Sequence, residues 1–191
     1  GRRDATDVEL VTIDPPGSKD LDQAVGVVAH GDGFRVHYAI ADLAAVVAPG
    51  SVLDEEVRRR GQTVYLPDGA VPLHPPVLSE GAASLLPDGP RPAVLWTIDL
   101  DATGERTAVT VERAVVQSRA QLDYGGVQAE LDGGRPLPEA IALLPTVGRL
   151  RRELAVERGA VELELPEQEV VPDGAGGWED RARVRVEVDT W

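Results

Sequence analysis

Hydrophobic and polar residues along this chain sort into short extended runs and a few helical stretches. Val8, Leu10, Val11 and Ile13 form an apolar run of the kind found in a buried strand. Ala24 to Ala29 and Phe34 to Ala41 are further apolar runs, and Gly31-Asp32-Gly33 between them predicts a hairpin. Ala93 to Leu100 and Thr107 to Val116, joined by a turn at Asp101 to Gly104, predict another. Ser51 is placed to cap a helix from Val52 to Arg60, with Glu55 and Glu56 early, Arg58 to Arg60 in the last turn and Gly61 as its stop. Leu122 to Leu131 and Leu137 to Val156 read as helices, the second carrying Leu143, Leu144, Val147, Leu150 and Leu154 at helical spacing. Val161 to Leu165, Glu167 to Val171 and Ala182 to Val188 read as extended, with a turn at Gly174 to Gly177. Gly1 to Asp7 reads as a loose polar lead-in.

The chemistry concentrates at the end of the first strand. Asp14 closes it, Pro15-Pro16-Gly17 breaks the backbone, and Asp20 and Asp22 follow on either side of Leu21. Residues two apart on an extended backbone face the same way, so Asp20 and Asp22 share a side while Leu21 anchors the segment. The turn can fold Asp14 back beside them. Such carboxylates repel one another, and a hard cation such as magnesium is the simplest compensation. A solvated acidic turn explains the same spacing equally well. Asp42, directly after a buried strand, reads as a helix cap in preference to a site residue. The Pro-rich connection through Pro72, Pro75 and Pro76 is long for a compact domain, as functional loops are. Tyr65 stands in it, either as core or as a platform for a base. His74 reads as structural. Arg58 to Arg60 read as favourable C-terminal charge in preference to a phosphate clamp, and Arg149, Arg151, Arg152 and Arg158 read as a solvated face.

Composition narrows these readings. The 191 residues, 42% of them hydrophobic, suffice for one domain with a core of Val, Leu, Ala and Ile. The absence of Cys excludes disulfides, thiolate metal sites and Cys nucleophiles. No glycine-rich phosphate loop opens a helix. No apolar run is long enough to span a membrane and no signal peptide is visible, so a cytoplasmic location is expected. Without any Met, the sequence reads as a fragment or a processed form. A net charge of -14 weighs against a nucleic-acid partner without excluding one, because a metal cluster consumes carboxylates and the arginines can line a groove.

Several segments together resemble the catalytic domain of the ribonuclease II (RNB) family. TIDPPGSKDLDQA, from Thr12 to Ala24, is similar to the signature that opens that domain. YAIADLAAVV at Tyr38 to Val47, the run from Ser51 to Leu85, the hairpin from Ala93 to Ser118 and Glu-Leu-Pro-Glu at Glu164 to Glu167 follow in the family's order. The resemblance implies an α+β fold, a mixed and mostly antiparallel twisted sheet with helices packed around it. It implies a magnesium-dependent hydrolytic exoribonuclease that degrades single-stranded RNA from the 3' end and releases nucleoside 5'-monophosphates. Asp14, Asp20 and Asp22 match three of the family's four carboxylates, with Asp20 and Asp22 catalytic and Asp22 the most sensitive. The fourth carboxylate position is Gln23 here. Tyr65 matches the position that stacks on a base near the RNA 3' end.

The resemblance covers only the first half of the family's catalytic domain and none of its flanking RNA-binding barrels. The chain then reads as the metal-binding half of the enzyme, with little or no turnover alone and an apolar face for the missing half or a partner chain. The alternative is a non-catalytic RNA-binding or protein-interaction module that keeps the fold, a reading favoured by Gln23, the acidic charge and the short length.

Overall fold

The computed structural model describes residues 1–66, 69–161, 167–183 and 185–190. Eleven strands and three α-helices are formed among them. The strands are β1 (Arg3–Asp4), β2 (Leu10–Asp14), β3 (Gln23–His30), β4 (Gly33–Ala41), β5 (Val64–Leu66), β6 (Gly69–Val71), β7 (Arg91–Leu100), β8 (Arg106–Val116), β9 (Ser118–Asp123), β10 (Glu167–Pro172) and β11 (Trp178–Arg183). The helices are α1 (Val52–Arg60), α2 (Tyr124–Asp132) and α3 (Leu144–Glu157).

One seven-stranded sheet, in the order β1-β8-β7-β4-β3-β2-β9, organises the fold. Its interior is antiparallel, built from the two predicted hairpins laid side by side through β4 and β7. Both edges are parallel additions, β1 on β8 and β9 on β2. The α+β architecture that the resemblance implied is therefore the one found. Two-stranded ribbons, β5-β6 and β10-β11, stand outside the sheet.

The two sheet faces are packed differently. One carries Ala24, Ala39, Ala93 and Ala114, small residues that let Leu85 and the segment around Ala5 and Val8 approach closely. The other carries Val27, Val36, Ile98 and Leu100 beneath Val147 of α3, with Val11, Val127 and Ile141 forming a neighbouring cluster. Beyond the reach of α3, Ile40, Trp96, Val109 and Val111 stay partly exposed on this second face, Trp96 at 37%. Trp96 lies opposite both Tyr38 and Val111 in register, so the exposed apolar residues form a continuous row.

Several sequence expectations are corrected. The lead-in is not loose: Arg3 and Asp4 pair with Ala114 and Val115, and Ala5 is fully buried. The pairing partner lies 111 residues away in Arg3↔Ala114, beyond any local pattern. Leu122 and Asp123 belong to β9, not to a helix, because β2 offers them a parallel ladder. α2 begins only at Tyr124, capped by Asp123, whose carboxylate accepts the Gly126 N–H at 2.7 Å. The stretch from Leu137 divides into a 3-10 turn, Glu139–Ile141, and α3, which carries Pro145 in its first turn. Instead of a strand from Ala182 to Val188, β11 ends at Arg183 and Glu187–Thr190 is a 3-10 turn that buries Val188. Arg151 and Arg158 are not a free solvated face: they bond Gly104 O at 2.9 Å and the Glu105 carboxylate, pinning α3 to the β7-β8 turn. Pro67 and Asp68, most of the run from Val161 to Leu165, and Glu164 to Pro166 of the Glu-Leu-Pro-Glu segment lie outside the described residues. α1 forms as expected, with Ser51 Oγ accepting the Asp54 N–H at 3.2 Å.

Candidate metal and RNA site

β2 delivers Asp14 at its C-terminal end, and the chain turns at Gly17, whose φ of +84° suits glycine. The segment from Ser18 to Asp22 then runs outside regular structure back to β3. Leu21 is 0% exposed while Asp20 and Asp22 face solvent, the alternation expected of an extended segment anchored by one apolar side chain. Burying such a leucine contributes about 2 kcal/mol toward holding the loop.

Polar contacts fix the same loop. Ser84, itself buried, accepts the Leu21 N–H at 3.0 Å and donates its hydroxyl to Lys19 O at 2.6 Å. Leu85 N–H donates to Leu21 O at 2.7 Å, Ala41 N–H to Asp22 O at 2.9 Å, and Gln121 Nε2 to Ser18 O at 2.6 Å. Sequence reasoning singled out neither Ser84 nor Gln121. The one signal for Ser84 was its place near the end of the resembling run from Ser51 to Leu85, and Gln121 had none.

Asp20 and Asp22 line a cleft of about 680 Å³. Tyr65, Leu43, His74 and Glu80 are also in its walls, and Asp14 is not. Tyr65 is 74% exposed on the β5-β6 ribbon, so it is a surface aromatic and not core. His74, read from sequence as structural, stands in the same wall. The Pro-rich connection thus forms one side of the cleft, tied back by Arg60 to Pro72 O at 3.2 Å and by Thr63 Oγ1 to the Leu73 N–H at 3.1 Å.

The carboxylates repel one another. Asp14 has its pKa pushed up to about 6, first by burial and then by Asp22 and Asp20. Partial burial of its inner side raises the Asp22 carboxyl from its ordinary value, with Asp20 adding to it. No Arg or Lys forms an ion pair with Asp14, Asp20 or Asp22 among the described residues. Nor, among those residues, do three metal-ligating side chains converge into a ready-made cage. Oxygen-only donors that repel one another suit a hard cation whose coordination is completed by water or phosphate. The donor set therefore fits magnesium as an open site, not as a closed one.

Gln23 stands at the start of β3, exposed, and its side-chain carbonyl accepts the Tyr38 hydroxyl. Asp42 corrects another expectation. It precedes the 3-10 turn Leu43–Ala45, but its side chain makes no cap bond. It is buried instead against Arg2 at 2.6 Å, with Arg113 at 3.5 Å. The charge of Arg2, the residue just before β1, takes the place of a local cap. No helix among the described residues is long and apolar enough to cross a membrane.

Known proteins resemble this chain in sequence and fold. The RNB domain model matches residues 2–187. Ribonuclease R of Acidithiobacillus ferrooxidans is 40% identical over 137 residues, covering 72% of this chain and 31% of that protein. The structure of Mycoplasma genitalium RNase R in complex with ribose methylated single-stranded RNA matches with a TM-score of 0.91 at 30% identity, over 99% of this chain and 31% of that one. Yeast Ssd1, a pseudonuclease, shares the fold at a TM-score of 0.70 and 20% identity, over 85% of this chain and 20% of its own. The chain thus spans about a third or less of the length of these proteins. With nearly its whole length matched, it belongs to the RNB domain family.

Proposed function

We propose that this chain is the metal-binding half of the catalytic domain of a magnesium-dependent 3'-to-5' exoribonuclease, which hydrolyses single-stranded RNA to nucleoside 5'-monophosphates in the cytoplasm. The observation that carries the reading is the shared cleft: Asp20 and Asp22 on one wall and the exposed ring of Tyr65 on another. Its relatives are ribonucleases by name, and one was solved with single-stranded RNA bound.

Magnesium, when bound, supplies an activated water at neutral pH and neutralises charge on the leaving oxygen. Asp20 and Asp22, with Asp14 behind them, would hold it. Asp22 also keeps the attacking side of the cleft anionic, which disfavours phosphate unless the cation is present. Tyr65 offers a ring face on which any base can stack, so sequence preference is slight. The apolar row of Ile40, Trp96, Val109 and Val111 is the face on which the rest of the catalytic domain, or a partner chain, would pack.

A non-catalytic RNA-binding module is the second reading. It is favoured by Gln23, an uncharged group engaged by Tyr38 at the fourth carboxylate position, and by the pseudonuclease among the fold's neighbours. A ribonuclease assay on the full-length protein, with and without magnesium, separates the two. Magnesium-dependent release of 5'-monophosphates that Asp22→Asn abolishes without unfolding the protein supports the enzyme. RNA binding with no turnover supports the module, and full turnover by the Asp22→Asn protein overturns the assignment of the site.

A further inference from the structure

We propose that Ser84 is a positioning residue for the cation-binding loop, setting the spacing of Asp20 and Asp22 across the cleft; the proposal rests on reading those carboxylates as metal ligands. Three backbone polar groups lie on either side of Asp20: Lys19 C=O before it, and Leu21 N–H and Leu21 C=O after it. All three are taken by two adjacent residues, Ser84 and Leu85, more than sixty positions away in the chain. Ser84 does this with a single hydroxyl that both donates and accepts, at 2.6 and 3.0 Å, while 2% exposed.

The bonds clamp the backbone on both sides of the residue that must point into the cleft. Two like-charged side chains would otherwise relieve their repulsion by letting this irregular segment swing apart. The clamp also comes from a stiff support. Ser84 follows a single wide helical turn, Leu78–Ala82, closed by Ala83 N–H to Leu78 O at 2.9 Å and Ser84 N–H to Gly81 O at 3.1 Å. Ser79 and Glu80 of that turn line the same cleft. The turn, the clamp and the carboxylates thus form one unit. A serine needed only to fill space would not require both bonds.

The test is Ser84→Ala in the full-length protein, read first by Mn²⁺ binding followed by electron paramagnetic resonance and then by RNA turnover. Mn²⁺ affinity is expected to fall about tenfold or more, as when outer partners of metal ligands are removed. kcat is expected to fall with it, while KM for RNA changes less than about threefold because the Tyr65 wall is untouched. Ser84→Cys, close in size but a weak hydrogen-bonding group, covers the case in which the alanine variant does not fold. Its affinity should drop in the same direction. Val147→Ala, far from the cleft in α3, is the control for destabilisation alone and should keep wild-type Mn²⁺ affinity. Wild-type Mn²⁺ affinity in a folded Ser84 variant overturns the proposal, even if its melting temperature is lower. A wild-type protein that binds no Mn²⁺ overturns it together with the metal site. If the wild-type protein binds Mn²⁺ but does not cleave RNA, and Ser84→Ala weakens that binding, the clamp stands and the exoribonuclease reading fails.

Discussion

Tyr38 donates its hydroxyl proton to the side-chain carbonyl of Gln23, across the β3-β4 ladder and beside the acidic loop. The oxygen that Gln23 could offer a cation is therefore already in use. A carboxylate in its place would have oxygens to spare after accepting the same bond. Gln23→Asp is expected to tighten Mn²⁺ binding at least about threefold, since ligand charge sets affinity for hard cations. Titration of the variant beside wild type decides it, and unchanged affinity would place Gln23 outside the site.

The raised pKa of Asp14 has a defined effect on stability. Its folded value of about 6 lies above the ordinary aspartate value of 3.8, so between these the native state binds the extra proton. Without divalent ions, the contribution of Asp14 to stability is fully present below pH 4 and is lost as pH rises through 6. Asp14→Asn should flatten that decline and raise the melting temperature at pH 7. A pH series of thermal melts in chelator is the measurement, and an identical slope in wild type and variant would contradict the assignment.

Tyr65 carries little of the fold, because most of its surface is already in water. Tyr65→Ala should leave the melting temperature within about a degree or two. It should weaken binding of short single-stranded RNA by roughly 1–3 kcal/mol, the worth of one stacked base. Fluorescence anisotropy with a short oligonucleotide tests this, and equal affinity would remove the stacking role.

Asp42 makes the opposite prediction. Its carboxylate is buried against Arg2, which already has a buried nitrogen without a partner. Asp42→Ala should cost about 1–3 kcal/mol by urea unfolding, because it strands a guanidinium. Glu112→Ala, which breaks the exposed pair with Arg3, should cost less than about 1 kcal/mol. Equal costs would show that burial is not what makes the Arg2 contact matter.

Gly26 tests how tightly β3 seats against the backbone just before β2. A Cβ built at this position would lie 2.0 Å from the backbone carbonyl of Glu9. Gly26→Ala must separate the two segments and should lower stability by more than about 2 kcal/mol, shown by a shift in the denaturation midpoint. A shift of a few tenths would mean that the backbone yields easily.

The legible parts of the fold were local. The two hairpins and α1 follow from alternation, glycine turns and a serine cap, all carried by neighbouring residues. β1 and β9 were missed because a parallel edge strand takes its ladder from a distant segment and needs no apolar period of its own. Asp42 was misread for a related reason: its partner, Arg2, lies 40 residues away.

For the site, the sequence by itself determined where the three carboxylates stand: Asp14, Asp20 and Asp22 spaced around a turn, with Leu21 as anchor. Chain spacing sets that much, because alternation fixes which side chains share a face. Only the tertiary structure decided that Asp20 and Asp22 face the same cleft as Tyr65 while Asp14 stands outside its walls. It alone brought Ser84 to the loop and Tyr38 to Gln23. The reason is physical: hydrogen bonds and desolvation depend on distance in space, and a hydroxyl 63 residues away in the chain leaves no periodic trace near the loop it holds.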